Sequence, residues 1–286
     1  MADLTKEIIW DYMRDTVGWV TSSAIDRDLT IGTPSGKSNR RVYLLRLVNE
    51  GKLKRHPVKD GIFKCIDSEA PQLCWEDKIS VEPLDIEWPF GLEHWIEIYS
   101  KNLVVLAGDP NAGKTAFCLN FAALNMNTWP VFYYSSELGE EELAKRLTKF
   151  DIDEWKVTFR ARSEGFEEII EPDAINIIDY LEVEDNFWLI GRELTHIYRV
   201  LNKGIALVAI QKDPRAKLGV GKRFGLDRPR LYLTMEPNKL TIEKGKNWAI
   251  ETVNPNKKAW TFKLIGGAKF VNIKQYYSSS IQEELL

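Results

Sequence analysis

The sequence predicts an α/β protein with a mainly parallel sheet, preceded by a smaller α+β unit. Three observations carry this. A glycine-bounded loop, residues 108–115, joins the apolar run 103–107 to an apolar helical stretch, 116–123. Two further apolar runs, 174–178 and 204–210, each end in a polar residue, Asp179 and Gln211. Largely apolar runs of that length fit strands buried on both faces. Residues 1–66 instead show helical periodicity followed by a hairpin pattern.

Taken in order, residues 5–14 form an amphipathic first helix, and residues 21–29 open on hydroxyl residues suited to an N-cap and read as a second. A turn-rich break at 32–36 precedes a third helix over 39–51, with Val42, Leu44, Leu45, Leu47 and Val48 as its apolar face. Residues 53–66 then read as two strands around a turn at Lys59, Asp60 and Gly61. Three helices and a hairpin in this order resemble the winged-helix family, a helix-turn-helix variant. Residues 30–66 carry Lys37, Arg40, Arg41, Arg46, Lys52, Lys54, Arg55, Lys59 and Lys64, opposed only by Glu50 and Asp60. Such clustering is the electrostatic footprint of nucleic-acid contact. The resemblance places Ser38, Asn39, Arg40, Arg41 and Tyr43 on duplex DNA, with Lys54, Arg55 and Lys59 on phosphates. The alternative is a protein-docking module with a solvated basic face.

Residues 67–87 are acidic, contain proline and are weakly periodic, so they read as a linker. From 88 to 273 strands and helices are expected to alternate in one domain, and 274–286 to form a flexible tail.

The loop at 108–115 reads G-x-x-x-x-G-K-T, the phosphate-binding P-loop, and follows a strand as that motif requires. Gly108, Asp109, Pro110, Asn111, Ala112 and Gly113 would turn backbone N–H groups onto the phosphates of ATP. Lys114 would add a point charge at the β- and γ-phosphates, and Thr115 a hydroxyl ligand for Mg²⁺. Glu137, at the end of the strand expected over 130–136, is placed to orient water as general base. Glu140, Glu141 and Glu142 read as acids favouring a helix N-terminus. Asp179 ends its strand as a Walker B carboxylate would, holding Mg²⁺. Two readings stay open for Gln211: a γ-phosphate sensor, or an amide that caps its strand. The loop after it carries Lys212, Arg215, Lys217, Lys222 and Arg223 among glycines and reads as a grip on single-stranded DNA.

Together these residues resemble the RecA-type ATPase core, in particular the DnaB-type hexameric replicative helicases and the RepA-like ATPases of phages and plasmids. The resemblance spans residues 88–272. It implies ATP hydrolysis with Mg²⁺ at a site shared between subunits of a ring or filament around single-stranded DNA. It also implies that Lys244 and Lys246 act in trans, although Lys246 stands where such helicases carry arginine and lacks its bidentate fork.

The leading expectation is therefore a DNA-dependent ATPase, a ring-forming replicative helicase or helicase-like motor of a phage, plasmid or related element. An ATP-switched DNA-binding regulator or partitioning protein, or a recombinase or recombination mediator, is the alternative. The net charge of −3 decides nothing between them. No apolar stretch reaches the roughly 20 residues of a membrane span, and no signal peptide opens the chain, so a cytoplasmic protein is expected. Cys65, Cys74 and Cys118 are scattered and suggest neither a disulfide framework nor a zinc site. His56, His94 and His196 have no metal-ligand spacing in the sequence.

Overall fold

The computed structural model describes residues 4–16, 18–66, 75–181, 189–212 and 228–276. The chain divides into two compact units, Met1–Ser80 and Val81–Leu286.

In the first unit, α1 (Lys6–Asp15) starts where the Thr5 side chain accepts from the Ile8 N–H. A two-residue strand, β1 (Val20–Thr21), leads into α2 (Ser22–Asp28), capped by Thr21. The third helix, α3 (Pro34–Asn49), begins well before the expected residue 39. Its cause is local: Thr33 caps the Gly36 N–H and Pro34 occupies the first turn, where its missing N–H costs nothing. Strands β2 (Leu53–Arg55) and β3 (Ile62–Cys65) pair antiparallel, and β1 adds to the far side of β3, giving the order β1-β3-β2. Ile9, Met13, Ile25, Leu44, Leu47, Leu53 and Phe63 form the core. Val42, expected on the buried face of α3, is 42% exposed, because the core-facing stripe runs through Leu44 and Leu47.

The second unit begins within the expected linker. Ile86 is buried, Leu84 N–H donates to Ile98 O, and the Asn125 amide exchanges hydrogen bonds with the Glu87 backbone. Residues 84–87 are therefore part of the packed unit and not a tether. Its central elements are β4 (Leu103–Gly108), α4 (Lys114–Asn125), β5 (Val131–Ser135), α5 (Glu140–Leu147), β6 (Val157–Ala161), β7 (Ile175–Asp179), α6 (Leu189–Val200) and β8 (Ile205–Gln211). Four strands follow without an intervening helix among the described residues: β9 (Leu231–Glu236), β10 (Lys239–Gly245), β11 (Ala259–Ile265) and β12 (Lys269–Tyr276). The expected alternation of strands and helices stops at β8.

The sheet order is β12-β11-β10-β9-β4-β8-β7-β5-β6. Strands β4 to β9 run parallel, and the β9–β12 meander is antiparallel. This is an α/β P-loop core with a mainly parallel sheet. Its central strands are covered on both faces, as their largely apolar runs require. Along β4, Val104 and Leu106 point to the side packed by Phe117, Leu119 and Phe121 of α4. Leu103, Val105 and Ala107 point to the other side, against Ile190, Leu194 and Ile197 of α6. The expected tail is shortened by β12, which reaches Tyr276.

Candidate nucleotide site

Strand register brings the functional ends together. Gly108 lies opposite Gln211, and Ser135 opposite Asp179, so β4, β8, β5 and β7 end on one edge of the sheet. That carboxyl edge, beside the point where β4 separates β8 from β9, is where parallel α/β sheets form ligand crevices. A cavity of about 380 Å³ opens there, lined among others by Asn111, Lys114, Thr115, Glu137, Asp179 and Gln211.

The loop itself is sterically specified. Gly113 has φ +104°, and a Cβ there would meet Leu264 Cδ2 at 3.1 Å, so only glycine fits comfortably. A Cβ on Gly108 would lie 2.7 Å from Lys114 Cγ, so the absent side chain lets the lysine fold back across the loop. Lys114 is buried and donates from Nζ to Gly108 O at 3.0 Å, Asp109 O at 3.0 Å and Gln211 Oε1 at 3.1 Å. Burial lowers its pKa, opposed by the Asp179 carboxylate and other nearby acidic groups. Gln211 thus touches the P-loop lysine, so its amide is in contact with the phosphate-binding machinery. Pro110, Asn111, Gly113, Lys114 and Thr115 line the cavity. Asp109 and Ala112 are buried beneath the loop, as is Gly108.

Asp179 is almost fully buried. It accepts from Tyr133 Oη at 2.6 Å and from the Thr115 hydroxyl. Burial raises its pKa, and the two hydroxyl donors hold it down. Tyr133 itself is driven well above its usual range by burial and by that carboxylate. The turn carrying Glu137 is tied to the same strand end: Ser136 N–H donates to Asp179 O, Tyr180 N–H to Ser136 Oγ, and Leu138 N–H to Ser135 Oγ. Glu137 therefore sits at the exposed mouth of the cavity on a fixed turn. Glu140, Glu141 and Glu142 form the first turn of α5.

Three contributors have no counterpart in the sequence reading. Arg146 lines the cavity from α5 while pairing with Glu142 at 2.9 Å. Its signal was available, because Leu143, Arg146 and Leu147 form the inward stripe of an otherwise exposed helix. Leu264 and Gly267 enter from the β11–β12 hairpin, which Asn120 of α4 fastens by donating to Ala268 O at 2.7 Å. Nothing local marks those residues, since they lie about 150 positions beyond the loop they cover.

Two nucleic-acid assignments need correction. Lys212 does not extend from a loop. Its side chain is 1% exposed and its Nζ lies 3.0 Å from Asp109 Oδ1 and 3.1 Å from Glu236 Oε1. A cation buried to this degree and paired with two carboxylates does not reach a phosphate backbone. Likewise Arg40 turns into the first unit, pairing with Asp26 and donating Nη1 to Ser22 O at 2.9 Å. Ser38, Asn39, Arg41, Lys54, Arg55 and Lys59 are exposed, and Tyr43 is half-buried beneath Arg46. Lys54 lies over the Trp19 ring, and Arg55 is 3.8 Å from Asp60. Arg215, Lys217, Lys222 and Arg223 lie outside the described residues, as does Cys74. Lys244 and Lys246, at and just beyond the end of β10, do not line the cavity of their own chain.

Residues 93–183 match the family model of the DnaB-like helicase C terminal domain. A 48-residue stretch is 44% identical to a probable replicative DNA helicase of Trieres chinensis, covering 16% of this chain and 10% of that protein. The chain thus matches about a tenth of that relative's length. Among solved structures, a KaiC-like protein of Pyrococcus horikoshii aligns over 69% of this chain and 100% of that one, at 15% identity and a TM-score of 0.49. Over residues 93–183, which include the P-loop, the chain is similar to the DnaB-like helicase C terminal domain. Among the described residues, no helix is long and apolar enough to cross a membrane.

Proposed function

We propose that this chain hydrolyses ATP as a DNA-linked motor, a replicative helicase or helicase-like ATPase. The observation that carries the reading is the cavity in which Lys114, Thr115, Glu137, Asp179 and Gln211 converge. The matched helicase segment covers the P-loop, Glu137 and Asp179, and supports the same reading.

The donor set fits Mg²⁺: the Thr115 hydroxyl and the Asp179 carboxylate are hard oxygen ligands already in contact. Bound with ATP, the ion would neutralise charge developing on the phosphates. Lys114 supplies a fixed positive charge, and the N-terminus of α4 directs its N–H groups at the same place. Glu137, at the cavity mouth, orients and deprotonates the attacking water. Arg146 adds a second cation to the cavity lining, able to meet a phosphate oxygen. Gln211, joined to Lys114, couples the phosphate site to the end of β8.

In this reading the basic exposed residues of the first unit, Arg41, Lys54 and Lys59 among them, hold duplex DNA in the winged-helix manner. Single-stranded DNA is gripped by Arg215, Lys217, Lys222 and Arg223, and Lys244 and Lys246 serve a neighbouring subunit of a ring. The deciding experiment measures ATP hydrolysis with and without single-stranded DNA, then strand separation on a forked duplex. DNA-stimulated hydrolysis with unwinding is expected. Stimulated hydrolysis without unwinding removes the helicase assignment and leaves a motor, and hydrolysis indifferent to DNA removes both.

A further inference from the structure

Away from the nucleotide cavity, Glu193 and His196 stand three residues apart on α6 and so share one helix face. The helix is fixed by Ile190, Leu194 and Ile197, all essentially buried. Glu167 approaches from the tight turn Phe166–Glu168, whose Phe166 is buried in the same core. Arg162 holds that turn, donating Nη2 to Gly165 O at 3.1 Å and to Glu168 Oε2 at 2.6 Å. One ligand atom from each of Glu167, Glu193 and His196 lies within 4.8 Å of the others.

Two observations point to a cation between them. His196 Nδ1 is 3.5 Å from Glu167 Oε1. That exceeds the roughly 2.7–3.2 Å of a well-formed N–H···O bond. It matches the spacing of about 3.4 Å between two ligands on a tetrahedral ion with bonds of about 2.1 Å. Second, Glu167 Oε2 is buried and has no hydrogen-bond partner among the described residues. This is the other oxygen of the carboxylate whose Oε1 faces His196, so the group as a whole is short of donors, and a cation beside it would offset that charge. Arg192 covers Glu193 Oε1 at 3.3 Å, leaving the second oxygen of that carboxylate for ligation. The three side chains remain partly exposed, which gives an ion a path in and room for water as a fourth ligand.

We propose that Glu167, Glu193 and His196 form a binding site for a zinc-class divalent cation, independent of the Mg²⁺ that accompanies ATP. An imidazole nitrogen with two carboxylates suits a borderline ion, whereas Mg²⁺ favours oxygen-only ligation. The ion would tie the turn after β6 to α6, two segments separated in sequence and joined here through side chains.

The test titrates the chelator-treated full chain with Co²⁺ in excess Mg²⁺, following its visible ligand-field absorption, and then displaces it with Zn²⁺. A single equivalent of Co²⁺ is expected, released by Zn²⁺ and unchanged in Asp179→Asn. Affinity should fall at least about tenfold in His196→Ala and Glu167→Gln. Absence of uptake by the parent, or equal uptake by His196→Ala, overturns the site. A second measurement avoids dependence on those variants: Zn²⁺ should shift the imidazole resonances of one histidine in the parent. His56→Gln and His94→Gln should leave that signal in place. Its loss in either variant overturns the assignment.

Discussion

Lys212 Nζ lies 3.0 Å from Asp109 Oδ1, joining the residue after β8 to the first residue of the P-loop after β4. Glu236, at the end of β9, completes the pair at 3.1 Å. Three adjacent strand ends are thus locked around one buried ammonium. Replacing it with Met leaves Asp109 buried without its partner, at a cost of about 3 kcal/mol. The denaturation midpoint of Lys212→Met should fall accordingly, while the salt dependence of DNA binding stays that of the parent. A reduced salt slope with unchanged stability would restore Lys212 to the DNA surface.

The same pair sets an alkaline limit. Burial alone would lower the Lys212 pKa, but the Asp109 and Glu236 carboxylates raise it above the usual 10.5. A lysine whose folded pKa is raised contributes stability below the unfolded value and loses it as pH climbs through the folded one. Thermal melts above about pH 10.5 should therefore show a loss that Lys212→Met lacks.

Tyr133→Phe removes one of two hydroxyl donors to Asp179. The carboxyl, already raised by burial, should rise further. A Mg²⁺ ligand must be ionised, so the acid limb of the kcat/KM profile for ATP should move to higher pH. An unmoved limb would show that Asp179 ionisation does not control turnover. In the metal-free protein the sign is opposite to a paired carboxylate's: the destabilisation from this residue is full above its folded pKa and is relieved as pH falls through that value towards the unfolded one.

Glu137→Gln should bind ATP as the parent does and hydrolyse it about 10²- to 10⁴-fold more slowly. Nucleotide fluorescence titration alongside phosphate release separates the two effects. Weakened binding would place Glu137 on the ligand and not on the water.

Lys114→Ala removes a charged donor from the phosphate site and should weaken ATP binding by about 2–3 kcal/mol, roughly 30- to 150-fold. Equilibrium binding with a non-hydrolysable analogue measures it. Parent-like affinity would undo the nucleotide assignment.

How much was legible follows from which interactions are local. The P-loop, its strand and its helix are contiguous, and glycine spacing, apolar runs and caps are local chemistry. Glu137, Asp179 and Gln211 could be singled out because each terminates an apolar strand. Parallel strands that start level end level, which is why those ends met. Arg146 was half legible, as a cation on the inward stripe of α5.

The sequence by itself determined a P-loop, its Mg²⁺ and base candidates, a mainly parallel sheet and a basic first unit. Only the tertiary structure decided which charges are spent inside. Nothing in the local sequence sets Lys212 or Arg40 apart from other basic residues, and burial depends on partners elsewhere in the chain: Asp109 and Glu236 for one, Asp26 for the other. The same holds for the β11–β12 hairpin over the P-loop and for Glu167 beside His196. Residue type sets what a side chain can do; long-range packing sets which solvent, and which partner, it does it with.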